Sequence, residues 1–130
     1  DFESVRCYVS RFFLSLTLLL TSCAAQQIHP GAVNQFDSTT YEALLITHSV
    51  IETTKTDLAS GVFSATLSPK VKTAVNELIT AYDAADKLYI NYHNAAIAGT
   101  STTVQMTNVS NAIQSVNNAT TALTNAKAGK

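Results

Sequence analysis

Past residue 37 the apolar positions of this chain recur at intervals of three and four, and the rhythm breaks at Gly61 and again at Gly99. Such spacing places the apolar side chains on one face of a helix, and a glycine just beyond the last periodic residue is a stop signal. Three helices are therefore predicted, over about 38–60, 69–98 and 101–127. The second has the clearest signals. Ser68-Pro69 offers an N-cap followed by proline at the first helical position. From there Val71, Val75, Leu78, Tyr82, Ala85, Tyr89, Tyr92 and Ala96 keep a strict four-three spacing, and a sustained seven-residue period predicts coiled-coil-like packing. Helix three presents Val109, Ala112, Ile113, Val116, Ala119, Leu123 and Ala126, with Asn, Thr and Ser on its other faces. Its intrinsic propensity is mediocre, so it must lean on its neighbours.

Helix one reads less cleanly. Asp37-Ser38-Thr39-Thr40 supplies caps, with Ser38 as the start and Glu42 nearby. Its inward positions are read as Tyr41, Leu44, Leu45, His48, Ile51, Lys55 and Leu58, while Ala43, Ile46 and Val50 fall on the opposite face. That second stripe is the candidate surface for a protein partner or for self-association. Short connections between helices of similar length predict an all-α, up-down-up three-helix bundle. The competing architectures are an extended trimeric coiled coil and a four-helix arrangement completed by a partner. The loop Gly61 to Leu67 should fold Val62 and Phe63 over the end of the bundle.

Ahead of the helices the pattern changes. Residues Phe12 to Leu20 form an almost unbroken apolar run, preceded by Arg11 and followed by Thr21, Ser22 and Cys23. The run is too short for a bilayer, which needs about 20 apolar residues, and it fits the apolar core of a secretory signal. The order Leu20-Thr21-Ser22-Cys23 resembles the lipobox of bacterial lipoproteins. The resemblance implies that the leader is cut before Cys23, that the Cys23 thiol is acylated, and that the membrane is then a partner through that lipid. It further implies a cell-envelope location. Ala24 stands where Gram-negative lipoproteins retained at the inner membrane carry Asp, so the outer membrane is expected in a host of that type.

Residues 1–22 are thus read as a signal peptide, 23–36 as the lipidated cysteine and its tether, and 37–130 as the bundle. Asp1 and Glu3 sit oddly in a leader, which makes 1–8 read as upstream sequence and Val9 as a start position. A flexible tether of this length reaches on the order of 20 Å, which keeps the bundle close to the lipid surface.

Composition narrows the function classes. Net charge is −1 and charged residues make up 13% of the chain, so the basic stripe of a nucleic-acid binder is missing. Past Cys23 six lysines face seven carboxylates, and between Thr100 and Ala126 there is no charge at all. Both cysteines, Cys7 and Cys23, precede the helices, so no disulfide can staple the bundle.

Candidate chemistry is thin. Of the three histidines, His29 lies in the tether, His48 on helix one and His93 near the end of helix two. Antiparallel packing puts His48 and His93 roughly 18 Å apart along the axis, too far to share a zinc ion. His48 is instead expected at the core edge with a satisfied hydrogen bond. Asp83 and Asp86 share a face of helix two, and with Lys87 they read as a solvated surface rather than an acid–base pair. Tyr41, Tyr89 and Tyr92 should gather at the end nearest the tether. No catalytic residue, cofactor or metal site is read from the chain. The expected function is a lipid-anchored envelope protein with a structural or protein-interaction role. The alternative is a small-molecule or protein binding module built on the Tyr41, Tyr89 and Tyr92 end.

Overall fold

A computed structural model of the chain describes residues 30–130, and the segment read as a leader, Cys23 and the stretch read as a tether as far as His29 lie outside them. The described residues form an all-α bundle of three helices: α1 Gln35–Ala59, α2 Leu67–Ile97 and α3 Thr103–Lys127. Their order is up-down-up. His48 of α1 lies against Tyr82 of α2, Tyr41 against Tyr89, and Asp37 against His93. Each step forward along α1 is therefore matched by a step backward along α2. Likewise Leu88 shares a groove with Asn108, and Leu67, at the start of α2, adjoins Gly129, just past the end of α3.

The two turns end their helices in the same way. At Gly61 the amide of Gly61 donates to the Leu58 carbonyl and that of Val62 to Asp57. At Gly99 the matching bonds run from Gly99 to Ala96 and from Thr100 to Ala95. These paired bonds satisfy carbonyls that a helix end otherwise leaves open, and they require a residue with positive φ. The glycines supply it, at 70° and 69°, without the Cβ clash other residues would meet. Of the loop residues beyond Gly61, Phe63 packs against the core and Val62 stays exposed.

The starts differ from the expected ones by a few residues. α1 begins at Gln35 because Asn34, not Ser38, is its N-cap: the Asn34 side chain accepts from the Asp37 amide. Residues 34–36 thus belong to the bundle rather than to the tether. α2 begins at Leu67, one turn after Ser64, whose hydroxyl and carbonyl both accept from the Leu67 amide. Pro69 then sits inside the first turn, where its missing N–H costs nothing.

Helix α2 lies between the other two and buries residues toward both. Val71, Val75, Leu78, Ala85 and Tyr92 are buried, as the four-three spacing predicts, and Ala74 joins them. On α3 the buried set is Val109, Val116, Leu123 and Ala126, again the predicted seam. α1 is where the reading needs correction. Leu44, Ile51 and Leu58 do face inward, but Leu45, His48 and Lys55 do not; the remaining seam positions are Thr40, Thr47 and Thr54. Each threonine follows the last by one heptad. Thr47 and Thr54 turn their hydroxyls back to the carbonyls of Ala43 and Val50, each at 2.8 Å. The polar atom is thereby satisfied within its own helix and the methyl is left to pack. α3 lies closely along α2, α1 packs less closely on it, and α1 and α3 meet only sparingly.

Candidate functional site

Among the described residues, polar side chains converge between helices at the junction of the α1 N-terminus with the last turns of α2. It begins with helix chemistry. The first turn of a helix leaves amide hydrogens unpaired, and Asn34 Oδ1 takes the one on Asp37 at 2.9 Å. Asp37 sits three residues into the helix, where the positive end of the helix dipole favours a carboxylate. Its Oδ2 reaches back to accept the Val33 amide at 2.8 Å. Asn34 thus holds the backbone of Asp37 while Asp37 holds that of Val33, a variant of the capping box shifted by one residue.

The same two side chains reach α2. The Tyr92 hydroxyl accepts from Asn34 Nδ2 at 2.8 Å, and the Tyr92 ring, fully buried, takes the edge of Phe36 at 5.0 Å and 77°. His93 Nδ1 lies 2.8 Å from Asp37 Oδ2. An ionised carboxylate only accepts, so Nδ1 carries the hydrogen and Nε2 is the freer nitrogen. Asp37 itself is fully buried, and the His93 side chain keeps 26% of its surface exposed. Tyr89 completes the group, between Tyr41 at 6.3 Å and His93 at 5.8 Å, ring to ring. Burial first, then hydrogen bonding and charge from Asp37, holds the Tyr89 proton well above the ordinary tyrosine range. The other oxygen of Asp37, Oδ1, is buried without a hydrogen-bond partner. Losing a hydration partner there is unfavourable, and the pairing with His93 and the helix dipole offset it.

Of the three tyrosines, Tyr41 and Tyr89 lie ring to ring at this end, and Tyr92, one turn along α2 from Tyr89, is bonded to Asn34. What a reading of the sequence missed was the pair Asp37 and His93. The available signal was the spacing Asn34-x-x-Asp37, an N-cap with an acid at the third helical position. His48 is exposed and lies 5.9 Å from the Tyr82 ring. Burial, then the charges of Asp86 and Asp83, raises the pKa of Tyr82. His93 therefore sits apart from His48, and among the described residues no three His, Cys, Asp or Glu side chains come together as metal ligands.

The residues read as a partner stripe divide. Ile46 is exposed, at 66% of its surface. Val50 packs against the core, and Ala43 lines a groove between α1 and α3 with Phe36, Thr39, Thr40, Ser110 and Ile113. That groove has a volume of about 220 Å³ and mostly apolar walls. A second groove, lined by Ala81, Ala84, Leu88, Asn108 and Asn111, runs between α2 and α3. No described helix is long and apolar enough to cross a membrane. No family model, curated protein or solved structure matches this chain.

Proposed function

We propose that this chain is a lipid-anchored protein of the bacterial envelope, attached through Cys23, with a structural or protein-interaction role and no catalysis. The observation that carries the reading is the order of residues before the bundle: Arg11, the apolar run to Leu20, then Thr21-Ser22-Cys23. A thioether anchor needs a cysteine with small neighbours at the end of a short apolar run, and these residues meet that need. The clamp at Asn34 and Asp37 supports the reading. A pull on the tether reaches the bundle at Asn34 and Asp37, which are bonded to Tyr92 and His93, so the load passes directly into α2.

Intact-mass measurement of the protein made in a bacterium, beside Cys23→Ala, tests this. The expected product begins at Cys23 and carries acyl mass that the variant lacks. A product cut elsewhere, or uncut and unmodified, overturns the anchor.

A second reading rests on the groove between α1 and α3, which would take a small apolar ligand. Its volume of about 220 Å³ lies below the 300–1,000 Å³ of ordinary ligand pockets, which ranks it behind the first. A rise in melting temperature with small aromatic or aliphatic probes, lost in Ala43→Phe, would favour it.

A further inference from the structure

Charge is segregated along the axis of the bundle. At the end where the chain enters α1 lie residues 30–36, the last turn of α2, the Gly99 turn and the start of α3. Over 30–36 and 94–104 the chain has no Asp, Glu, Lys or Arg, and α3 stays uncharged from there along its length to Ala126. The nearest ionisable side chains are Asp37, buried against His93, and then Glu42, roughly two turns up α1 or about 10 Å along it. Asp83, Asp86 and Lys87 lie near the middle of α2, and the opposite half carries Glu52, Lys55, Asp57, Lys70, Lys72, Glu77, Lys127 and Lys130. The uncharged end also displays large aliphatic side chains to solvent: Val33 at 44%, Ile97 at 64% and Val104 at 69% exposed. All three stand outside the helical interior, before α1, at the end of α2 and at the start of α3.

We propose that this end of the bundle rests on the lipid bilayer, with Val33, Ile97 and Val104 entering its interfacial layer. The inference rests on the anchored reading above. Three observations favour lipid as the occupant. Cys23 precedes the α1 N-cap by a tether of about 20 Å reach, so this end, and not the other, is delivered to the membrane. Apart from Asp37, which is buried, and its partner His93, this end has no ionisable side chain to strip of water, and desolvating charges is what opposes contact with a bilayer. Aliphatic groups on such a surface gain from leaving water in proportion to the area covered.

The test supplies the anchor chemically, so that it does not depend on acylation in the cell. The full chain with Cys7→Ser is coupled through Cys23 to maleimide-bearing lipid in phosphatidylcholine vesicles, and amide hydrogen exchange is compared with the uncoupled protein. Exchange over 98–102 should slow several-fold on coupling, while exchange over 61–66, at the far end, stays unchanged. In the triple variant Val33→Ser, Ile97→Ser, Val104→Ser the slowing should vanish although the protein remains coupled. Equal behaviour of the two ends, or slowing that survives in the triple variant, overturns the proposal. The mass measurement decides the anchor separately, so failure of one reading is distinguishable from failure of the other.

Discussion

The two faces of α2 are built on different principles. Toward α3 the contact is apolar and close, with Val109, Val116 and Leu123 seated against α2. Toward α1 it alternates aliphatic and threonine positions and closes at one end with Asn34, Asp37, Tyr92 and His93. An apolar seam draws its stability from buried area and is indifferent to small shifts along its length. A buried hydrogen-bonded pair adds little net stability but penalises every register except one. The comparison teaches a division of labour: α2 and α3 supply most of the cohesion, and the polar junction sets where α1 sits.

The largest test of that division is Leu78→Ala. Leu78 is fully buried on the central helix, and truncation should cost about 3–5 kcal/mol, read as a lower denaturant midpoint. If the cost were below about 1 kcal/mol, α2 would not be the centre of the core. Asp37→Ala comes next. It removes the partner of Val33 and His93 together, and about 2 kcal/mol should be lost, less than for a wholly buried pair because His93 can turn to water. Asp37→Asn, which keeps the shape, should lose less.

Thr54→Val changes stability in the other direction. Thr54 is fully buried and its hydroxyl bonds only to its own helix, so an isosteric methyl should stabilise by about 0.5–1 kcal/mol. A loss instead would show that the α1 seam requires its hydroxyls.

The smallest effect is on pH. A tyrosine ordinarily ionises at 10.0, and in the fold the Tyr89 proton is held above that value. Its stabilising contribution is therefore complete below about pH 10 and falls as pH rises beyond it. The denaturation midpoint of the native protein should drop as pH rises above about 10. Tyr89→Phe should flatten that drop, with Tyr82 leaving a residue of the same sign.

How much of this could be read from the chain follows from the same contrast. On α2 and α3 every seam position is an apolar residue or a tyrosine, so the period was visible and the buried residues except Ala74 were identified. On α1 half the seam is threonine. A threonine facing inward looks no different in sequence from one facing water, because its burial depends on a hydroxyl bonding four residues back, as at Thr47 and Thr54. The period was therefore completed with Leu45, His48 and Lys55, one position over. The junction was hidden for a second reason. Asp37 and His93 are 56 residues apart, and a pair at that separation carries no local signature. Only the capping half, Asn34 with Asp37, was legible, and Ser38 obscured it by offering a second start.

The antiparallel order of the helices has a last consequence. The Gly61 turn and the close of α3 share the end opposite the chain's entry, and α1 rises 25 residues between the two ends. At 1.5 Å per residue the bundle stands about 37 Å tall. Its charged end, with Lys70, Lys72 and Lys127, is held at that distance from the end where the chain enters. The bundle thus fixes the separation of its two ends, and shortening all three helices by a matched heptad would bring them about 10 Å closer.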